Sequence, residues 1–208
     1  MTRPQVIVDT ETTSLTPDYL SGKGVIWELA LIERDCDAER LYRMEPDTAL
    51  ASQAALAVGR FDERTAQMKH SLTAGTDYDS GVTDIAWTGY QLWSRPADLA
   101  PHVAGLLDGA TVIAANPTFD AGFLAAFLAA YGCEPKWHYR LRDIGSMAWA
   151  WLQAHHLPHH LSTPAMDAST DDFARALGVD PESFDRHTAL GDCRLIAAML
   201  RVMEGGAP

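Results

Sequence analysis

Three short apolar runs in the first 44 residues constrain the fold most, because they are spaced as consecutive strands. We predict strands at residues 5–9, 24–32 and 41–44, where β-branched and apolar side chains cluster between polar segments. The first two should form a hairpin. Farther along the chain, helical and strand patterns alternate, which favours a mixed sheet flanked by helices.

The second half of the chain adds helices and two further strands. After Pro96, apolar residues recur at helical spacing until Gly109 ends the pattern. A buried strand at 111–115 precedes an alanine-rich helix at 119–131, so Asp120 should lie where a strand gives way to a helix. Further predictions are a fifth strand at 139–144 and helices at 146–155, 170–177 and 188–203. The expected fold class is α/β, with about five strands flanked by helices.

Length, composition and charge narrow the class of protein. The 208 residues are 47% apolar, enough to fill the core of one domain spanning residues 1–208. We find no leader pattern and no apolar run of roughly 20 residues, so we expect a soluble cytoplasmic protein without membrane contact. The three cysteines are too scattered to indicate disulfides or a CxxC zinc site. A net charge of −12 disfavours a broad basic surface for nucleic acid, although acids that bind cations would attract phosphate.

Two acids near the first predicted strand are placed to share a ligand. Asp9 and Glu11 are two residues apart, and side chains with that spacing on a strand project from the same face. Both carboxylates can therefore reach one cation, and Mg²⁺ prefers such oxygen ligands. The pair alone is a weak signal, because acids at strand ends are ordinary surface residues in most proteins.

Three later residues are equally ambiguous when each is taken alone. Asp120 could simply supply negative charge at a helix N-terminus. His187 could be a surface histidine, and Asp192 could form a solvated ion pair with Arg186 or Arg194. Only their combination with the first acidic pair points to a specific chemistry.

Taken in order, the segments VDTETT, NPTFDAGFL and HTALGD resemble the three motifs of the DnaQ-like, or DEDDh, 3′ to 5′ exonucleases of the ribonuclease H-like superfamily. The resemblance covers residues 5 to about 202, although residues 52–95 match no motif. It implies a metal site for two Mg²⁺ ions, for which Mn²⁺ can substitute, held by Asp9, Glu11, Asp120 and Asp192. It further implies that His187 is the general base and that the terminal nucleotide is bound by Thr12, Leu15 and Phe119.

The chemistry of these groups agrees with that resemblance. Two cations about 3.5 to 4 Å apart can activate water and stabilise the leaving 3′ oxygen. An imidazole, with an ordinary pKa of about 6.5, suits proton abstraction near neutral pH. Two departures from the family pattern concern the nucleotide pocket: Ser14 stands where many relatives have glycine, and Ala115 stands where histidine is common.

The expected function is metal-dependent removal of 5′-mononucleotides from the 3′ end of single-stranded DNA or RNA, in proofreading, repair or end trimming. The expected partner is nucleic acid with a free 3′ end, and a homodimer or a polymerase partner remains open. One alternative is a catalytically silent nucleic-acid-binding or polymerase-associated module of the same fold, against which the presence of all five groups weighs. Another is an endonuclease, against which the His187–Asp192 spacing weighs.

Three further features have two interpretations each. The aromatic residues at 87, 90 and 93 could stack bases, although their helical spacing favours packing. The segment KWHYRLR at 136–142 could contact phosphates, although its alternation favours burial of Trp137, Tyr139 and Leu141 in the fifth strand. The histidines in the predicted loop at 155–169 could bind zinc, but a polar loop is favoured because no cysteine or HExxH pattern accompanies them.

Overall fold

Five strands form one mixed sheet in the computed structural model, which describes residues 3–66, 93–155 and 164–205. The strands are β1 (Gln5–Thr12), β2 (Ile26–Glu33), β3 (Ala38–Arg43), β4 (Thr111–Ala114) and β5 (Arg142–Asp143). Their order in the sheet is β3-β2-β1-β4-β5. The pairs β1–β2 and β2–β3 are antiparallel, whereas β1–β4 and β4–β5 are parallel. The predicted mixed sheet of about five strands flanked by helices is therefore confirmed.

Helices cover both faces of this sheet. They are α1 (Gln53–Val58), α2 (Pro96–Leu106), α3 (Pro117–Ala130), α4 (Ile144–Ala154), α5 (Thr170–Ala176) and α6 (Ala189–Met203). Residues 61–66 are also helical, and a 3₁₀ turn spans Pro181–Ser183. None of the helices in the described ranges is long and apolar enough to cross a bilayer.

The alternation of side chains along β1 divides the core into two layers. Ile7 packs with the buried residues of α4, α5 and α6 on one face of the sheet. Val6 and Val8 pack with those of α2 and α3 on the other face. β1 is covered on both faces and pairs with β2 as far as Thr12, whereas it pairs with β4 only at Gln5–Ile7. The β2 ladder therefore sets the position of the side chains at the carboxyl end of β1.

The first strand is longer than its sequence indicates. It continues from Asp9 through Thr12, because Glu11 pairs with Glu28 across the ladder and Thr12 pairs with Ile26. The register shifts between these two pairs, a local irregularity of the kind often found beside functional sites. Asp9 and Glu11 therefore lie within a paired strand and not beyond its end.

The fifth strand is shorter than predicted. Only Arg142 and Asp143 pair with β4, because the Asp143 side chain already accepts a 2.6 Å hydrogen bond from the Ser146 N–H and begins α4. The predicted burial of Tyr139 is wrong, since 76% of this residue is exposed. Trp137 and Leu141 are partly buried against the α2–α3 layer, as the burial interpretation expects.

Two of the remaining sequence interpretations are only partly described. Trp93 is 5% exposed and packs with Trp27 and Phe61, which agrees with packing over base stacking at this position. The aromatic residues at 87 and 90 lie outside the described residues, as do the histidines at 156, 159 and 160. His155 follows α4, and its ring stacks on Trp151 with a centroid distance of 3.9 Å.

The first turn of α6 tolerates no side chain at Gly191. A Cβ atom there would lie 1.9 Å from the Asp185 carbonyl oxygen and 2.7 Å from the Thr188 hydroxyl. We expect Gly191→Ala to lower the free energy of unfolding by about 1 to 3 kcal/mol, the usual cost of forcing atoms into a packed site. Denaturant unfolding followed by circular dichroism measures this.

The matched control is Gly122→Ala in α3, where a Cβ atom meets nothing within 4 Å. This substitution should raise the free energy of unfolding by about 0.5 to 1 kcal/mol, because alanine is the better helix former. Equal effects of the two substitutions would contradict the close contact at Gly191.

Candidate functional site

A cavity of about 380 Å³ lies where the carboxyl ends of β1 and β4 meet the starts of α3 and α6. This volume is in the range of small-ligand sites. The cavity brings together all eight residues that the sequence analysis singled out: Asp9, Glu11, Thr12, Leu15, Phe119, Asp120, His187 and Asp192. Six further residues line it: Thr10, Ser14, Ala55, Val58, Ala115 and Asn116.

Three carboxylates from two elements converge in this cavity. Asp9 and Glu11 project from the same face of β1, and Asp192 lies in the first turn of α6, which packs on that face. Each offers one oxygen, and these oxygens all lie within 4.8 Å of one another. The spacing suits a shared cation, because carboxylate oxygens are the ligands that Mg²⁺ and Mn²⁺ accept.

Asp120 approaches from the other layer of the fold. It is 4% exposed in the first turn of α3, and the Thr10 hydroxyl donates a 2.8 Å hydrogen bond to its Oδ1. The helix N-terminus and this hydrogen bond both favour negative charge. Thr10 and Asp9 are adjacent in β1, so their side chains project from opposite faces, and Asp120 meets the strand from the Thr10 side.

His187 lies on an unusual turn directly before α6. Its φ angle is 59°, in the left-handed region that residues other than glycine rarely adopt. Thr188 follows as the helix N-cap and accepts a 3.0 Å hydrogen bond from the Gly191 N–H. His187 is exposed to solvent yet lines the cavity, as a group that must meet both water and substrate would.

The remaining cavity wall combines polar and apolar groups. The Thr12 hydroxyl donates to the Ser14 carbonyl at 2.7 Å, which shapes the loop leading to Leu15. Leu15 is 83% exposed, so its side chain is available to a ligand. Phe119 packs against Phe123 with ring centroids 4.9 Å apart.

Burial makes the acidic cluster resist ionisation. Desolvation, together with the nearby charges of Asp120 and Glu11, raises the pKa of Asp9 well above its ordinary range. Burial, and then the charge of Glu28, raises the pKa of Glu11 to about 7. Burial also raises the pKa of Asp120 to about 7, against the opposing effect of the Thr10 hydrogen bond.

One arginine partly offsets this negative charge. Arg186 contacts the Asp192 carboxylate directly, and its charge lowers the pKa of Asp9. Arg186 Nη2 also donates to Asp171 at 2.7 Å, so the guanidinium is held from a second side. Of the two cations that the sequence offered as partners for Asp192, Arg186 is the one in contact, whereas Arg194 pairs with Glu39.

The residues of the cavity fit a divalent cation. The donors are hard oxygen ligands, and the raised pKa values show that the cluster takes up protons when no cation compensates its charge. Gly59 closes over Glu11 so tightly that a Cβ atom would lie 2.8 Å from the Glu11 Oε2. Glu11 therefore has little room to turn away from the cluster.

Sequence reasoning missed the charged residues behind the site. Glu28 is fully buried in β2 and paired with Arg43 and Arg64. A signal was available, because Glu28 interrupts the apolar run VIWELALIE, where a charge must find a buried partner. No comparable signal marks Arg64, whose partners lie far away in sequence.

Comparisons with known proteins agree at the level of the fold. No protein-family model matches the chain, and no curated protein matches its sequence. A structure of a 3′-exonuclease in 3′-end specific recognition of histone mRNA stem-loop is 13% identical and has a TM-score of 0.50, over 97% of this chain and 64% of that one. The nuclease domain of 3′hExo, a DEDDh family member bound to rAMP, is also 13% identical, with a TM-score of 0.47 over 97% of this chain and 92% of that one. The chain has the ribonuclease H-like fold.

The raised pKa values predict how stability depends on pH and metal. A carboxyl group with a higher pKa in the folded than in the unfolded protein stabilises the fold below its unfolded pKa, and this contribution is lost as pH rises through the folded pKa. For Glu11 the window runs from 4.5 to about 7. In chelator, Asp9→Asn should therefore melt above wild type at pH 8 by roughly 2 to 4 °C, the shift that about 1 kcal/mol produces in a chain of this size.

The difference should vanish as pH falls to about 3, below the ordinary Asp pKa of 3.8, where the wild-type carboxyl is mostly protonated in both states. With Mn²⁺ at pH 8 the order should reverse, because only wild type keeps the full ligand set. Asp108→Asn, which removes an exposed acid outside the cavity, is the control and should change neither comparison. A wild-type protein that melts above Asp9→Asn in chelator at pH 8 would contradict the repulsion described above.

Proposed function

We propose that the chain, as one domain spanning residues 1–208, is a metal-dependent 3′ to 5′ exonuclease that releases 5′-mononucleotides from single-stranded nucleic acid. The observation that carries the proposal is the meeting of three distant sequence motifs in one cavity, with four carboxylates and one imidazole among its lining residues. The ribonuclease H-like fold is consistent with this chemistry but does not by itself determine it.

Asp9, Glu11, Asp120 and Asp192 are proposed to hold two Mg²⁺ ions, with Mn²⁺ as a substitute. Bound cations of this kind would activate a water molecule and stabilise the leaving 3′ oxygen. The protein contributes by arranging the carboxylates before the cations arrive: β1 presents two of them, and the first turns of α3 and α6 each add one.

His187 is proposed to take the proton from the attacking water. Its exposed position at the cavity wall gives the imidazole access both to that water and to bulk solvent, where the proton must finally go. Imidazole is the side chain that ordinarily titrates between pH 5 and pH 8, which suits a base acting near neutral pH.

Thr12, Leu15 and Phe119 are proposed to bind the terminal nucleotide. Leu15 and Phe119 offer apolar surface to a base, and the polar backbone around Thr12 can meet the sugar. A terminal base enters such a pocket only when it is unpaired, so single-stranded or frayed ends are favoured. One structurally similar 3′-exonuclease recognises a histone mRNA stem-loop, so the test should include RNA as well as DNA.

The proposal predicts a specific cleavage pattern. With Mg²⁺ or Mn²⁺, 5′-labelled single-stranded DNA or RNA should give a ladder that shortens from the 3′ end, and chelator should abolish it. Asp9→Asn and Asp120→Asn should each lower turnover about 100-fold or more, because each removes a proposed cation ligand. His187→Ala should lower turnover about 100-fold and change its pH dependence, as expected for loss of a general base.

Asp108→Asn is again the control and should keep wild-type activity. Full activity of Asp9→Asn or Asp120→Asn would refute the assignment. Cleavage of a circular substrate without free ends would favour an endonuclease. Binding to the labelled strand without hydrolysis, under all metal conditions, would favour a catalytically silent nucleic-acid-binding or polymerase-associated module.

A further inference from the structure

A buried glutamate lies directly behind the cavity. Glu28 is 0% exposed, and the register of the sheet sets it opposite Glu11 on one side and Arg43 on the other. Like charges on neighbouring strands repel, and a buried carboxylate needs close cations. Arg43 Nε donates to the Glu28 Oε2 at 2.6 Å, and Arg64 Nη2 contacts the Oε1. Glu28 is therefore the centre of an Arg–Glu–Arg triad.

This triad reaches the turn that carries His187. The Ala189 N–H, at the start of α6, donates to the Glu28 Oε1 at 3.0 Å. Arg64 Nη1 approaches the His187 carbonyl oxygen at 3.4 Å. The turn is thus held from behind on both sides of the Thr188 residue that links them.

These two contacts are important because the backbone of the turn is conformationally strained. His187 keeps a φ angle of 59°, and such a conformation persists only when surrounding contacts determine it. Thr188 hydrogen-bonds to Asp185 and Gly191, but all of these residues belong to the turn or to α6 itself. The side-chain pairs Arg60–Asp185 and Arg186–Asp171 anchor the residues before His187. Glu28 and Arg64 instead contact the backbone on either side of Thr188.

Arg64 is itself fixed in place. Its guanidinium lies over the Trp27 ring, 4.9 Å from the centroid, and its Nη1 donates to the Gly59 carbonyl at 3.0 Å. A planar guanidinium with several fixed donors can serve these partners together, whereas a lysine ammonium has no such geometry. Neither Arg64 nor Glu28 is among the described residues that line the cavity, so both act through other groups.

We propose that Glu28 and Arg64 are positioning residues that set the place of the His187 imidazole for proton abstraction. This inference rests on the proposed function. Arg43 shares the Glu28 carboxylate but binds its far oxygen and makes no contact with the His187 turn among the described hydrogen bonds. Both arginines bind Glu28, but among the described hydrogen bonds only Arg64 also contacts the His187 turn, which makes Arg43 a control for that contact.

The test compares Arg64→Lys with Arg43→Lys on a 5′-labelled single-stranded oligonucleotide with saturating Mn²⁺. Both variants weaken the same buried ion pair, and their unfolding midpoints should fall by similar amounts. Arg64→Lys should lower kcat about 10- to 100-fold with KM nearly unchanged, since small misplacements of a catalytic group cost this much. Arg43→Lys should keep kcat within about 3-fold of wild type.

A double-mutant cycle then shows whether Arg64 acts through His187. In a His187→Ala background, Arg64→Lys should lower kcat by less than about 2-fold, because the group it positions is already gone. The same loss of kcat with and without His187 would overturn the proposal. An equal loss of kcat in Arg43→Lys would also overturn the proposal. So would a fall in Mn²⁺ affinity in Arg64→Lys as large as the fall in kcat, because it would mean that Arg64 acts through Glu11.

A spectroscopic readout separates this inference from the proposed function. In a ¹H–¹³C spectrum of the histidine rings, the His187 signal is the one lost in His187→Ala. It should shift in Arg64→Lys and not in Arg43→Lys; an unmoved signal in Arg64→Lys overturns the inference whether or not wild type hydrolyses nucleic acid. Absence of hydrolysis by wild type refutes the proposed function alone. If Arg64→Lys does not fold, Glu28→Gln replaces it, since the amide keeps an acceptor for the Ala189 N–H and should shift the same signal.

Discussion

Asp9, Glu11 and Asp192 hold carboxylate oxygens within 4.8 Å of one another, and ionising such a group is costly because burial and nearby carboxylates both favour the protonated form. The carboxylates stay this close only if the backbone fixes the positions of their side chains. β1 contributes to this, because Asp9 and Glu11 are paired with β2 and the strand is covered by helices on both faces. The Gly59 backbone adds to it by closing against the Glu11 carboxylate.

The arginines around the cluster offset its charge without cancelling it. Arg186 is in contact with Asp192, while Arg43 and Arg64 bind Glu28 one strand away. The pKa values of Asp9 and Glu11 nevertheless remain raised, first by burial and then by neighbouring carboxylates, so the ionised form of the cluster is only partly stabilised. A divalent cation would stabilise this partly compensated cluster strongly, because its binding would offset the negative charge and displace the bound protons. The same arrangement explains why protons and metal should compete.

The sequence predicted those features whose signal is local or whose motifs are distinctive in combination. The two-residue spacing of Asp9 and Glu11 predicts a shared face on a strand, and the glycine-terminated helices follow from known capping rules. The predicted fifth strand is too long. The alternation in KWHYRLR is typical of a strand, but the Asp143 side chain caps the following helix and ends the pairing there. Glu28 and Arg64 were missed for a different reason. Their partners come from separate segments, and neither spacing nor composition reports which distant charges will meet.

The acidic character of the chain affects how it could attract a negatively charged ligand. Several arginines of the described residues are already engaged by carboxylates, as in the pairs Arg34–Glu204, Arg40–Glu33, Arg60–Asp185 and Arg194–Glu39. The charge of such a guanidinium is already compensated by its carboxylate partner, so it attracts a phosphate less. The net charge of −12 also repels a polyanion at long range. For the proposed function, attraction to a nucleic acid would come from the acidic cavity, where bound cations reverse the sign of the charge. In the proposed exonuclease, cations bound among Asp9, Glu11, Asp120 and Asp192 would lie where the phosphodiester is held, so substrate affinity would depend more on the metal than on the protein surface.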